Sequence, residues 1–285
     1  LISKKVCFRR NPPDRPSSQL MEMNVVLITF DSCRWDSYER ADMRFLNQHC
    51  PARKAYSQAT FTYAAHLAMF QGLLPNTKEA LAYYNRYTRQ LIRIANRGVG
   101  PSSLISFQAG TEDIVTGFRG AGYFTIGLGA MEWFRHPHLT RNFEQFFNIG
   151  IHAQNQVDIL LDRTKQNRPF FALVNFGETH DPYTIGYEHR VPYSSTSRAR
   201  QNNLSAGTFD EEGWKKQSLC CQYLDTQVSA IFRHLLATTR ETIFIVCGDH
   251  GECFGEDGMF GHGFYHPKIM EVPLAIFDFH GELRL

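Results

Sequence analysis

The sequence has no apolar run approaching the ~20 residues that a membrane-spanning helix needs. It also lacks a Cys-x-x-Cys pair, an internal repeat and any block of like charge. Thirty Lys and Arg stand against 28 Asp and Glu, and the net charge of +2 is spread along the chain. No basic stripe results, so a nucleic-acid partner is not expected. Residues 1–23 carry basic side chains but no hydrophobic segment, so they read as neither a signal peptide nor an anchor. The seven cysteines have no metal-ligand spacing and read as free thiols of a reducing compartment. Together these absences predict a soluble, cytoplasmic protein.

What is present suits an enzyme. With 285 residues and 43% apolar content, the chain can bury the core of one large α/β domain. Asn24 to Phe30, Tyr123 to Leu128, Phe170 to Phe176 and Thr242 to Cys247 are short apolar or β-branched runs. Such runs form buried parallel strands, which predicts a mostly parallel central sheet flanked by helices. The last run passes through Gly248 into Asp249-His250-Gly251-Glu252, and the first runs into Asp31. Neighbouring parallel strands end on one edge of their sheet, so Asp31, Asp249 and His250 can converge on one divalent cation. Carboxylate oxygen with imidazole nitrogen favours zinc or manganese over calcium. Asp36 reads instead as a cap of the helix that follows, and Arg34 as the buried partner of a carboxylate.

Residues 64 to 70 read as a small-residue helix, with Thr60 and Thr62 at its N-terminus. Free backbone N–H groups there favour an anion, and a hydroxyl beside a cation can become a nucleophile. Either threonine fits on these grounds, as does simple capping. His66, one helical turn beyond Thr62, lies on nearly the same face and is a candidate for substrate binding. Gly177-Glu178-Thr179-His180-Asp181-Pro182-Tyr183 follows the third strand, and Gly261-His262-Gly263 lies twelve residues beyond the Asp-His pair.

In order, these segments resemble the alkaline phosphatase superfamily over residues 24 to 278, particularly its sulfatase-like, phosphonate monoester hydrolase and phosphoethanolamine transferase branches. The resemblance implies Thr62 as nucleophile and metal ligand, because it lies four residues before His66, seven before Met69 and ten before Gly72. It implies one favoured metal held by Asp31, Thr62, Asp249 and His250. His180, His262 and Glu178 are possible holders of a second ion. It also gives His180 and His262 contact with the transferred group and a place in catalysis. Branches that act on sulfate oxidise a cysteine or serine to formylglycine at the position of Thr62, and threonine cannot undergo that conversion.

The organisation that follows is an arm over residues 1–23 and one domain over 24–285, with inserts near 76–116 and 184–213. The inserts, with Tyr83, Tyr84 and Tyr87, are expected to form the substrate rim. The expected activity is metal-dependent phosphoryl transfer on a small anionic phosphate ester or phosphonate. The alternatives are a sulfatase or other ester hydrolase on the same scaffold, and an anion-binding protein without turnover.

Overall fold

Strands buried on both faces are mostly apolar, and three of the apolar runs of this chain, Asn24 to Phe30, Phe170 to Phe176 and Thr242 to Cys247, form adjacent central strands. The computed structural model describes residues 23–72, 93–95, 104–106, 113–165, 167–185, 208–238 and 240–283. The N-terminal arm, except Met23, and most of both inserts, including Tyr83, Tyr84 and Tyr87, lie outside the described residues.

The chain opens with β1 (Asn24–Phe30), α1 (Trp35–Arg40), α2 (Arg44–His49), β2 (Arg53–Tyr56) and α3 (Thr62–Gln71). β3 (Arg93–Ala95) and β4 (Leu104–Ser106) pair with each other in a separate ribbon. Next come α4 (Ile114–Gly120), β5 (Phe124–Gly129), α5 (Pro137–Thr140), β6 (Gln145–Asn148), α6 (Ala153–Arg163) and β7 (Phe170–Phe176). The 26-residue helix α7 (Glu211–Leu236) leads to β8 (Thr242–Gly248). A small ribbon of β9 (Cys253–Phe254) and β10 (Phe260–Gly261), then α8 (Pro267–Met270), β11 (Glu271–Asp278) and β12 (Gly281–Glu282), complete the described chain.

The main sheet runs β12-β11-β8-β1-β7-β5-β6, with β2 also paired to β11. β8, β1, β7, β5 and β6 are mutually parallel, and β11 joins them antiparallel. Side chains alternate across a strand. Val26, Ile28 and Phe30 therefore face a core shared with α6 and α7, while Leu27 faces the opposite core with Tyr63, Leu67 and Phe70 of α3. Each large apolar side chain removed from water in this way contributes roughly 1.5–3 kcal/mol.

Two buried carboxylates join helices to this frame by accepting from backbone N–H groups that a helix start leaves unpaired. Asp225 of α7 accepts from Phe45 N at 2.7 Å and Leu46 N at 2.9 Å, serving α2, whose own N-cap residue Met43 makes no side-chain bond. Glu178, just past β7, accepts from Ala153 N at 2.7 Å, at the start of α6. Burial of Glu178 pushes its carboxyl up from 4.5 to about 7, against the opposing pull of backbone N–H groups.

Asp225→Ala leaves two buried donors unpaired, and urea unfolding is expected to show a loss of about 1.5–3 kcal/mol with the m-value unchanged. Asp225→Asn keeps one acceptor and should lose less. Glu178 gives a pH signature. Between 4.5 and about 7 the folded chain holds a proton that the unfolded chain has released. Its contribution is therefore fully present below pH 4.5 and is lost as pH rises through 7, by roughly 3 kcal/mol at most. Unfolding free energies from pH 4.5 to 8 should fall more steeply for wild type than for Glu178→Gln.

Candidate active site

Strand register brings the acidic residues together. Phe30 of β1 is paired with Gly248 of β8 on one side and with Phe176 of β7 on the other. The next residue of each strand leaves the sheet at the same level, so Asp31 and Asp249 emerge side by side, with the turn of Gly177 to His180 beside them. Gly248 and Gly251 allow the Asp-His turn to pack this tightly. A Cβ on Gly248 would lie 2.6 Å from the Cys33 carbonyl oxygen, and one on Gly251 would lie 2.1 Å from that of Lys268.

Asp31, Asp249 and His250 are buried, and their ligand atoms all lie within 4.8 Å of one another. Among the described residues this is the cluster of metal-ligating side chains that the fold assembles. His250 Nδ1 lies 2.9 Å from the Gly251 carbonyl oxygen, so Nδ1 carries the proton. Its Nε2 lone pair then faces Asp249 Oδ2 at 3.6 Å and Asp31 Oδ1 at 3.9 Å. Burial, with His262 adding to it, pushes His250 down to about 3. A neutral imidazole of this kind is the form that binds metal.

Thr62 is the first residue of α3 and is 1% exposed. Its Oγ1 lies 3.4 and 3.3 Å from the two Asp31 oxygens and 3.3 Å from His250 Nε2. All three neighbours accept, and one hydroxyl proton serves one of them. Asp249 Oδ1 accepts from Ser32 N at 3.0 Å and His250 N at 2.8 Å, whereas Asp249 Oδ2 is buried with no hydrogen-bond partner. Burial first, and then the Asp31 carboxylate, push Asp249 well above the ordinary carboxylate range. Two buried carboxylates, an acceptor nitrogen and an orphaned oxygen leave positive charge as the missing element, so these residues fit a divalent cation.

His180 and His262 stand beside this cluster. The His262 ring lies 5.3 Å from that of His180 and 4.5 Å from that of His250. His262 Nδ1 is 3.2 Å from Glu252 Oε1. Burial lowers the His262 pKa, but the Glu252 carboxylate outweighs it and the net direction is up. Glu252 moves down correspondingly, its own burial overcome by His262. Thr60 supports this loop, its carbonyl accepting from Gly263 N at 2.9 Å.

His66 takes a different place from the one expected. It is fully buried, with Nδ1 2.8 Å from the Thr62 carbonyl oxygen and Nε2 3.0 Å from Thr29 Oγ1. Both ring nitrogens are engaged within the protein, so it stands behind Thr62 and has none to offer a substrate. Asp36 is likewise not a helix cap. The N-cap position of α1 is Arg34, and Asp36 pairs with the guanidinium of that residue and with Lys268 Nζ at 2.7 Å. Arg34 is 1% exposed and also meets Glu256 Oε1 at 2.7 Å and the Glu252 carbonyl at 3.1 Å. It joins the turn after β1 to the loop that carries Glu252.

Sequence reasoning missed Thr29 and Asn175, whose side chains meet behind the cluster, and Glu252 as the partner of His262. A signal was there: each of the first two is a polar residue inside an otherwise apolar strand core, and Glu252 completes the Asp-His-Gly-Glu run.

With this geometry in hand, comparison with known proteins is informative. Residues 23–278 match the family model described as Sulfatase. The uncharacterized sulfatase YidJ of Escherichia coli is 23% identical over 180 residues, covering 55% of this chain and 36% of that protein. The chain thus spans about a third of that relative's length. Among solved structures, the soluble domain of lipooligosaccharide phosphoethanolamine transferase A from Neisseria meningitidis superposes with a TM-score of 0.62 at 12% identity, covering 90% of this chain and 77% of that one. The C-terminal periplasmic domain of phosphoethanolamine transferase EptC from Campylobacter jejuni gives a TM-score of 0.59 at 13% identity, with coverage of 90% and 80%.

These likenesses overturn the expectation of a cytoplasmic protein, since this scaffold is found in periplasmic domains. Among the described residues no helix is long and apolar enough to cross a membrane, and six cysteines are buried. Neither observation identifies a compartment. The match over nearly the whole described chain, with the sheet and the Asp31, Asp249 and His250 cluster it carries, makes this chain a member of the sulfatase family within the alkaline phosphatase superfamily.

Proposed function

We propose that the chain is a metal-dependent phosphoryl-transfer enzyme with Thr62 as its nucleophile. The observation that carries this reading is the position of Thr62 Oγ1, buried at a helix N-terminus and 3.3–3.4 Å from three acceptor atoms of Asp31 and His250. A divalent cation held by Asp31, Asp249, His250 and Thr62, zinc or manganese from the donor set, would supply the positive charge that makes the threonine hydroxyl acidic and draws in an anionic ester.

Thr62 gives its hydroxyl proton to the Asp31 carboxylate 3.3–3.4 Å away as its Oγ attacks phosphorus, the bond from phosphorus to the leaving oxygen breaks, and a phosphothreonine forms. His180 and His262 flank the transferred group. With Glu252 behind it, His262 carries positive charge more readily than an ordinary imidazole, which suits a phosphoryl group shifting charge between oxygens. One of the two gives a proton to the departing oxygen. A water, or an alcohol or amine, then takes the phosphoryl group from Thr62, and the same geometry serves hydrolase and transferase.

The family name includes sulfate esters, and formylglycine chemistry requires cysteine or serine where this chain has Thr62. Thr62 is therefore what supports phosphorus over sulfur, on a scaffold that is similar both to phosphoethanolamine transferases and to sulfatases. The substrate class is a small phosphate ester or phosphonate.

Turnover of nitrophenyl phosphate, a phosphate diester, a phosphonate monoester and a nitrophenyl sulfate tests the reading. A phosphorus ester should be fastest, and Thr62→Ala should lose at least about 10³-fold in kcat. Thr62→Ser should retain part of the rate, and acid-quenched wild type should carry a phosphoryl group on the peptide that contains Thr62. Preference for sulfate, or full activity in Thr62→Ala, overturns the assignment.

Metal removal gives a second test. Asp249 has its pKa raised in the metal-free fold, so the penalty for burying its charge grows as pH rises. At pH 8, chelator-treated wild type should melt below the zinc- or manganese-loaded protein. Metal-free Asp249→Asn should melt above metal-free wild type and show no rise on adding metal.

A further inference from the structure

Behind the cluster, buried polar groups from β1, β7 and α3 form one chain of hydrogen bonds whose direction the chemistry fixes. Thr29 and Asn175 are register partners on adjacent strands. Asn175 Oδ1 accepts from Ala130 N at 3.2 Å, which turns the amide nitrogen toward β1. That nitrogen has two hydrogens and two acceptors, Thr29 Oγ1 at 3.0 Å and Asp31 Oδ2 at 3.1 Å. Thr29 Oγ1 lies 3.0 Å from His66 Nε2, and His66 Nδ1 lies 2.8 Å from the Thr62 carbonyl oxygen.

A carbonyl oxygen only accepts, so His66 Nδ1 must hold a proton. Of the two neighbours of Thr29 Oγ1, Asn175 Nδ2 is a donor, so the hydroxyl proton has His66 Nε2 as its acceptor and Nε2 is the unprotonated nitrogen. The Thr29 hydroxyl then has to donate to Nε2, and its oxygen receives the Asn175 N–H. Every donor is used once along the path from Asn175 through Thr29 and His66 to Thr62, and the second Asn175 hydrogen ends on Asp31. Thr29, Asn175, His66 and Asp31 have no exposed surface.

We propose that Thr29, His66 and Asn175 are positioning residues that set where the Thr62 hydroxyl stands relative to the Asp31 carboxylate, with His66 held as the neutral Nδ1–H tautomer. The chain reaches one end of the nucleophile's helix and one ligand carboxylate at once, and it meets no substrate. Its catalytic consequence rests on the reading of Thr62 as nucleophile. A displacement of about 1 Å at a reacting group costs on the order of 10²-fold in rate.

The test uses the whole chain. Thr29→Val keeps the side-chain shape, removes the donor to His66, and should lower kcat about 10- to 100-fold with KM changed less than about 3-fold. Thr29→Ser restores the hydroxyl and should recover most of the rate. Asn175→Leu frees the Asp31 carboxylate and should weaken zinc or manganese binding, measured by calorimetry, about 10- to 100-fold. Nitrogen-15 NMR of wild type near neutral pH should show His66 protonated on Nδ1 alone.

A wild-type kcat in Thr29→Val, equal impairment in Thr29→Ser, unchanged metal affinity in Asn175→Leu, or a His66 proton on Nε2 would each overturn the proposal. If wild type turns over no phosphorus ester, the functional reading falls by itself, while the tautomer and the metal affinity still decide the positioning chain. They decide it as well if Thr29→Val does not fold.

Discussion

Two buried carboxylates that the sheet register sets side by side are the constraint on which the rest of this site depends. Asp31 and Asp249 each follow the last paired residue of a parallel strand, and adjacent strands in register give them no means of separating. Like charges in a buried place cost several kcal/mol unless a cation or a proton intervenes. The surroundings answer that cost with donors where the backbone can supply them, from Ser32 N and His250 N, and with Asn175 on the other carboxylate. One oxygen, Asp249 Oδ2, is left over. The structure is therefore built around a positive charge that the chain itself does not contribute.

The same register explains why so much of the architecture was legible in the sequence. Fully buried parallel strands are apolar along most of their length, so Asn24–Phe30 and Phe170–Phe176 were readable to the residue. Chemistry placed just past their ends follows from the geometry of parallel sheets. Asp31, Asp249 and His250 were accessible by that argument alone, whereas the choice between Thr60 and Thr62 needed a family pattern. The structure gives the two threonines separate positions, Thr62 beside Asp31 and His250 and Thr60 beneath Gly263.

What the sequence concealed were contacts between residues distant in the chain. His66 shares a helix face with Thr62, and that periodicity suggested a shared target. The ring instead turns back to the Thr62 carbonyl and across to Thr29, a strand away. Helical spacing gives a face and not a rotamer. Asp36 looked like a cap because it sits near a helix start, but Arg34 two residues earlier is a stronger attraction for a carboxylate than an unpaired backbone N–H. Composition carried no information about compartment, since a compact domain lacking a membrane-length helix serves equally on either side of a membrane.

Gln217 of α7 donates from one amide nitrogen to the Ser32 carbonyl at 2.9 Å and the Thr179 carbonyl at 2.8 Å. Those carbonyls belong to the turn after β1 and the turn after β7, the first bearing Asp31 and the second His180. A single buried side chain on a 26-residue helix thus ties the two loops together. Because both bonds come from one amide nitrogen, the turn that bears Asp31 and the turn that bears His180 cannot shift against each other without breaking one of them, and α7 thereby takes part in spacing the two sides of the site.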